Sequence, residues 1–458
     1  MAAGGVRALP AVLVGATALL AGSWYAGLLL ARDAGLGTFA YDQAFFQQLV
    51  WNLDHGRWFV SSFTPVSFLG LHFSPLLVVP AAVELVWSDP RALSLLAALS
   101  IAGFGPCALL LLRGMGVRAI LAAALTAPLP FWPAAQEAVR AGFHPETMGI
   151  DLALLAGWAG MRGRPALSVG LALLALCARE DQAWNVLVIG LVVAASGPAA
   201  RRLGIGLAGA ALGWGAAVTG LLMPLLRAGH TVDTDGYYRW LHGASPGTVL
   251  HALAQPRGWL AAGVMVACAG FLPPLRPAWL ALALPPLVAD LLSAHAPQPA
   301  LGLQYALPLV VPVLVAAGQA AAGVRLSAGM PAAAMAVPAV ALALVAGTLP
   351  PARLSDSAPF LRPAALEALA TCATTIPAGV SVAADDPVAV RLAGRRTILE
   401  LTGARPSDYA VVDRRALLPG YVPERTRATA LGFLAADGRP VLCDDGRFLV
   451  LGPRPAPA

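Results

Sequence analysis

The chain has 458 residues, 58% of them hydrophobic and 12% charged, with a mean hydropathy of +0.72. Soluble domains carry about 25% charged residues, so a wholly water-soluble protein is excluded. The net charge of +6 would suggest nucleic acid in a soluble chain. Here every basic side chain other than histidine is arginine, and the surplus is explained by membrane topology, so no nucleic-acid partner is expected.

Apolar runs recur from Val12 to Leu349. Each approaches the roughly 20 residues that cross a hydrocarbon core of about 30 Å as a helix. A lone apolar segment in lipid must satisfy its own backbone, which favours helices. The alternation of a membrane barrel is absent. The first run, Leu9–Ala31, follows Arg7, exceeds a typical signal core and is read as a retained anchor.

Residues 32–90 then form a long first loop. Tyr41 to Leu53 reads as a helix, with Phe45, Phe46, Leu49, Val50 and Leu53 on one stripe. Gln43, Gln47, Gln48 and Asn52 lie off that stripe, so the helix is expected in the membrane interface, with Trp51, Trp58 and Trp87 at headgroup level. Phe73–Trp87 is apolar but short, and reads as re-entrant or interfacial. Further spans are expected at 91–112, 117–135, 147–161, 165–178, 183–199, 203–224, 258–275, 278–293, 303–322 and 330–349. With the anchor that makes about eleven transmembrane helices in residues 1–351.

Charge orients them. Arg7, Arg113, Arg118, Arg162, Arg164, Arg201, Arg202, Arg276 and Arg325 occupy the N-terminus and alternate short loops, which hold no Asp or Glu. Arginine-bearing short loops are cytoplasmic. The acids fall on the opposite side. The chain is therefore expected in the cell inner (plasma) membrane, N-terminus inside, with residues 352–458 outside.

Residues 352–458 regain charge and shorten their apolar runs. They read as a small extracytoplasmic α/β domain: helices near 363–374, 387–394 and 424–436, strands near 380–384, 397–401 and 409–412, then a hairpin turning at Asp445-Gly446. Cys107, Cys177 and Cys268 lie in apolar runs as small buried hydrophobes. Cys372 and Cys443 could form one disulfide if the domain lies outside the cytoplasm.

Four outer-side clusters could carry chemistry. Asp42, at the start of the first-loop helix, is either a first-turn carboxylate or a catalytic one held at the bilayer surface. His72, in Leu71-His72-Phe73-Ser74-Pro75, stands where a loop turns into an apolar helix. His144 and Glu146 flank Pro145, and Glu146 also suits the first turn of the next helix. Arg179-Glu180-Asp181 follows an apolar run almost without a polar break. Such residues are either interfacial anchors or the lining of a cavity.

The ordered motifs Tyr-Asp-Gln-Ala-Phe (41–45), Trp-Asn-Leu-Asp-His-Gly (51–56), His-Phe-Ser-Pro (72–75), Phe-His-Pro-Glu (143–146) and Arg-Glu-Asp (179–181), with Gln304-Tyr305 before Leu-Pro, resemble the domain-of-unknown-function 2079 membrane family. That family is similar in layout to the GT-C type glycosyltransferases, which take sugar from a polyprenyl-phosphate donor on the outer leaflet. The resemblance implies a GT-C-like fold and matches Asp42 to the acidic residue of the first outer loop. It implies transfer of a sugar from a polyprenyl-phosphate donor to an outer-face glycan, lipid or protein acceptor. Asp42 would be the base. Arg179 would neutralise the donor phosphate. His72, His144, Glu146, Glu180, Asp181, Gln304 and Tyr305 would bind substrate or a divalent metal ion, although no ligand set has distinctive spacing. The alternatives are a membrane transporter or lipid flippase, and a non-catalytic scaffold presenting the C-terminal domain.

Overall fold

The computed structural model describes residues 2–38, 40–323, 332–349, 366–401, 407–419 and 424–453. The chain is mostly helical and ends in a small sheet. It forms two compact units. The first comprises Met1–Ala26, Leu69–Leu76 and Ala97–Asp356, and the second comprises Gly27–Phe68, Leu77–Leu96 and Ser357–Ala458.

Among the described residues, four helices are long and apolar enough to cross a membrane: Ala8–Ala34, Arg91–Gly114, Pro198–Arg227 and Leu303–Gly323. The chain is a multi-pass membrane protein. The other expected spans are shorter or interrupted, and in two of them proline marks the break. The run expected at 117–135 is divided into Ala119–Thr126, a 3-10 turn at Leu129–Phe131 and Pro133–Ala141. Pro128, Pro130 and Pro133 remove the backbone donors that would join the pieces. The run at 278–293 is likewise interrupted by a 3-10 turn at Ala281–Ala283, just before Pro285 and Pro286.

In the first unit, the Gln182–Ala195 and Pro198–Ala217 helices form a tight antiparallel pair. A Cβ on Gly204 would lie 2.1 Å from the Ala194 nitrogen, and one on Gly190 would lie 2.6 Å from the Ala208 nitrogen. Only glycine lets the two backbones approach so closely, as small residues do between helices in lipid. The opposite end of the Gln182–Ala195 helix carries the Arg-Glu-Asp turn.

The second unit joins first-loop residues to the C-terminal sheet. Its strands are β1 (Val382–Ala384), β2 (Ile398–Glu400), β3 (Tyr409–Asp413), β4 (Val441–Asp444) and β5 (Phe448–Leu451), in the order β2-β1-β3-β5-β4. β1 runs parallel to β2 and β3, with Val382 opposite Ile398 and Tyr409. β5 is antiparallel to β3 and β4. Gly446, at a φ of 89°, closes the expected hairpin.

The first-loop helix forms at Phe45–Asp54, and its apolar stripe is buried as expected. Its glutamines do not face water. Gln48 is fully buried, and its amide donates to the carbonyl oxygens of Arg395 (3.2 Å) and Arg396 (3.1 Å), while Ser61 donates to its oxygen at 2.7 Å. Gln47 donates to Glu84 at 3.0 Å. Asn52 donates to the Val60 carbonyl at 2.7 Å. The helix is therefore a core element of this unit, its polar side chains satisfied by loop carbonyls and a buried carboxylate. Arg391 forms an ion pair with the buried Asp33, and a second with Asp89 at 3.5 Å.

Cys372 and Cys443 are disulfide-bonded, whereas Cys107, Cys177 and Cys268 are free. Alkylation of the denatured, unreduced chain should therefore modify three cysteines, and reduction should expose all five. The Cys443→Ser chain should lose roughly 2–5 kcal/mol of stability in its C-terminal region, read by protease susceptibility. Five labels without reduction would contradict the pairing.

Candidate active site

The site is built on the turn between the Pro165–Leu176 and Gln182–Ala195 helices. The turn is fixed from two sides. The Leu76 nitrogen donates to the Cys177 carbonyl at 2.8 Å, which brings the His-Phe-Ser-Pro segment alongside. From the other side comes the Pro145–Met161 helix, where a Cβ on Gly149 would lie 2.8 Å from the Ala178 Cβ and 2.9 Å from the Gln182 Cγ. A larger residue there would push the turn away.

Three pairings of ionisable groups result. The His72 Nδ1 lies 2.9 Å from the Glu180 Oε1, and the Phe73 nitrogen donates to the Glu180 Oε2 at 2.9 Å. Arg179 donates to the Glu146 Oε1 and pairs with the Asp181 Oδ2 at 2.7 Å. Glu146 enters from the first turn of the Pro145–Met161 helix. Its side chain is 2% exposed and that of Arg179 13%, so these charges depend on one another rather than on water.

The surroundings set the protonation states. Burial alone would raise the Glu180 carboxyl, but His72 and Arg179 outweigh it and hold the group down at about 2. Asp181 goes the other way. Burial, assisted by the charges of Glu146 and Glu180, pushes it up to about 6 despite Arg179. Adjacent carboxyls with opposite shifts are a common arrangement in acid–base sites.

Arg179, Glu180, Asp181 and His72 line a cavity of about 540 Å³. Gln304 and Tyr305 reach it from a 3-10 turn, Leu303–Ala306, where Glu137 accepts a hydrogen bond from the Leu303 nitrogen at 2.7 Å. Leu301 and Leu303 hold φ values of 52° and 54°, a left-handed conformation uncommon for leucine. Hydrogen bonds from the Leu301 nitrogen to the Gln298 carbonyl (2.8 Å) and from the Gly302 nitrogen to the Pro297 carbonyl (3.0 Å) hold this loop.

Six of the nine expected site residues thus line one cavity, and Glu146 pairs with one of them. His144 is the residue before the Pro145–Met161 helix, buried, with Nδ1 3.4 Å from the Gly142 carbonyl. Its place near Glu146 is sequential, and it is not a lining residue. Asp42 belongs to the second unit, in a π turn at Ala40–Ala44 that leads into the Phe45–Asp54 helix. Among the described residues, no group of three His, Cys, Asp or Glu side chains could hold a metal ion.

Trp184, Tyr237, Tyr238, Asp290 and Gln298 also line the cavity, and no motif in the sequence marks them. Gln298 donates to Asp290 at 3.3 Å. Tyr237 stacks on His295 at 4.6 Å, and His295 meets Tyr305 edge-on at 5.6 Å. The available signal was the polar break Ser293 to Gln298 after an apolar helix.

The profile of a predicted membrane protein family, DUF2079, matches residues 32–414. The chain belongs to the DUF2079 family. No curated protein sequence matches it. Its fold is similar to that of ArnT from Cupriavidus metallidurans, a GT-C type fold. One crystal structure of ArnT, bound to undecaprenyl phosphate, matches with a TM-score of 0.50 and 14% identity, over 96% of this chain and 97% of that one. The apo ArnT structure matches with a TM-score of 0.50 and 13% identity, over 98% of both chains. At this identity the likeness is one of fold. This DUF2079 protein therefore combines an ArnT-like architecture with a charged cavity lined by His72, Arg179, Glu180 and Asp181.

Proposed function

We propose that this protein is a membrane glycosyltransferase that moves a sugar from a polyprenyl-phosphate donor to an outer-face acceptor. The observation that carries the reading is the cavity of about 540 Å³ in which Arg179 stands among carboxylates within an ArnT-like fold. ArnT has been crystallised with undecaprenyl phosphate, the class of lipid that the reading requires. Eleven spans in an inner membrane, with the N-terminus inside and residues 352–458 outside, agree with the distribution of arginine.

In this reading Asp42 takes the proton from an acceptor hydroxyl. The acceptor oxygen bonds to the anomeric carbon as the bond from that carbon to the phosphate oxygen breaks, with inversion. Polyprenyl phosphate leaves with the electron pair, and Arg179 offsets the charge that develops on it. A guanidinium suits this role because its fork matches phosphate oxygens. His72 and Glu180 brace the turn and position Arg179. Glu146 supports the same turn through its pair with Arg179, His144 starts the helix that carries Glu146, and Gln304 and Tyr305 contact the sugar. Asp42 stands in a π turn, an irregularity frequent at functional positions.

Asp42→Asn should lower turnover roughly 100- to 10,000-fold, the usual worth of a general base, while donor binding stays unchanged. Arg179→Ala should instead weaken donor binding about 10- to 100-fold, as loss of a charged hydrogen bond does. Calorimetry with a non-hydrolysable polyprenyl-phosphoryl sugar, paired with a transfer assay, separates the two. Solute flux that survives Asp42→Asn in proteoliposomes, without any transfer, would replace the enzyme with a transporter.

Binding should also depend on pH. A polyprenyl-phosphoryl sugar is a phosphodiester and keeps its single charge near neutrality. Asp181 loses its negative charge as pH falls through about 6, which leaves Arg179 less neutralised. Donor affinity should therefore rise on acidification through that pH, and Asp181→Asn should bind tightly at all pH with the dependence removed. An unchanged pH profile in Asp181→Asn would contradict this assignment.

A further inference from the structure

The second unit carries three arginines that the transfer reaction does not use. Gln48 draws the backbone of Arg395 and Arg396 against the first-loop helix. Trp51, one turn further on, lies beside Gly394, where a Cβ would be 3.6 Å from the indole. The Arg57 guanidinium sits 4.8 Å from the centre of the Trp51 ring, and the His55 ring stacks on that indole at 3.9 Å. Trp51 thus gathers Arg57 and the Gly394-Arg395-Arg396 turn into one basic patch.

The patch lacks its counter-charge. Among the described residues, Arg57, Arg395 and Arg396 form no ion pair, and the adjacent Asp54 faces His55 at 3.7 Å. The Arg57 Nε and Nη2 and the Arg395 Nη1 are shielded from solvent and have no hydrogen-bond partner among the described residues. Burial and the neighbouring Arg396 charge both pull the Arg57 guanidinium below its ordinary pKa. Buried donors left unmade are costly, so the arrangement favours an incoming anion.

The rim indicates where that anion comes from. Trp58 is 65% exposed and Val60 51% exposed, directly after Arg57. A soluble-ligand site has little use for an exposed indole and valine, whereas a bilayer headgroup region favours both tryptophan and arginine. In sequence, the segment lies between two membrane-crossing candidates, Ala8–Ala34 and Arg91–Gly114. We propose that Arg57, Arg395 and Arg396 form a subsite for the phosphate headgroup of an anionic membrane lipid, with Trp58 and Val60 seated among its acyl chains. This subsite is independent of the transfer reaction.

The test is native mass spectrometry of the full chain in uncharged detergent, titrated with phosphatidylglycerol, with phosphatidylcholine of the same acyl chains, and with glycerol 3-phosphate. The wild type should retain phosphatidylglycerol preferentially. Arg57→Ala and Arg396→Ala should each reduce that preference roughly fivefold, the interfacial worth of one basic residue. Arg396 is exposed, so Arg396→Glu keeps the fold and should reduce the preference further. An unchanged preference in the Arg396 variants would overturn the proposal. Equal affinity for glycerol 3-phosphate would overturn the lipid assignment.

Discussion

A charged side chain surrounded by apolar helices persists only if other charges meet it. Arg179 obeys that constraint, and most of the first unit's polar architecture follows from it. Its guanidinium is matched by Glu146 from one helix and Asp181 from its own turn, while the neighbouring Glu180 is occupied by His72. Removing one member of such a buried pair costs about 3–5 kcal/mol, because the partner stays behind uncompensated. Replacing the whole set with hydrocarbon would generally cost little. A network of this kind standing on a cavity wall therefore indicates use rather than stability.

The constraint reaches into the packing. The pairs meet only if the turn at 177–181 presses against the Pro145–Met161 helix, which requires glycine at 149. The paired helices beyond the turn are held by the close approach at Gly190 and Gly204. Two adjacent carboxyls at similar depth then acquire opposite acidities, Glu180 near 2 and Asp181 near 6, because one faces an imidazole and the other shares its cation with further acids. The ArnT-like fold supplies the scaffold. Function is argued from these residues, since a fold hosts many chemistries.

Much of this was legible in the sequence. Period-3.6 spacing gave the Phe45–Asp54 helix, and Asp445-Gly446 between short apolar runs gave the final hairpin. The ionisable clusters are legible because charge is rare in such a chain. Their pairing partners were not legible, since periodicity describes one helix and not which helices touch. The same limit hid Trp184, Tyr237, Tyr238, Asp290 and Gln298, which carry no motif and reach the cavity through tertiary packing. It also hid the burial of Gln47 and Gln48. Their polarity pointed to water, but their amides meet partners far along the chain or across the loop. Where apolar runs contain clustered prolines, hydropathy outlined longer spans than the backbone can form.

If the proposed function holds, the phosphate of a polyprenyl carrier sits in the Arg179 cavity. A cryo-electron microscopy structure of the full chain with undecaprenyl phosphate decides the point. Phosphate density is expected within hydrogen-bonding reach of the Arg179 guanidinium, with the prenyl chain leaving the cavity among apolar helices. Phosphate density elsewhere, with the Arg179–Glu146–Asp181 set undisturbed and its cavity empty, would contradict it.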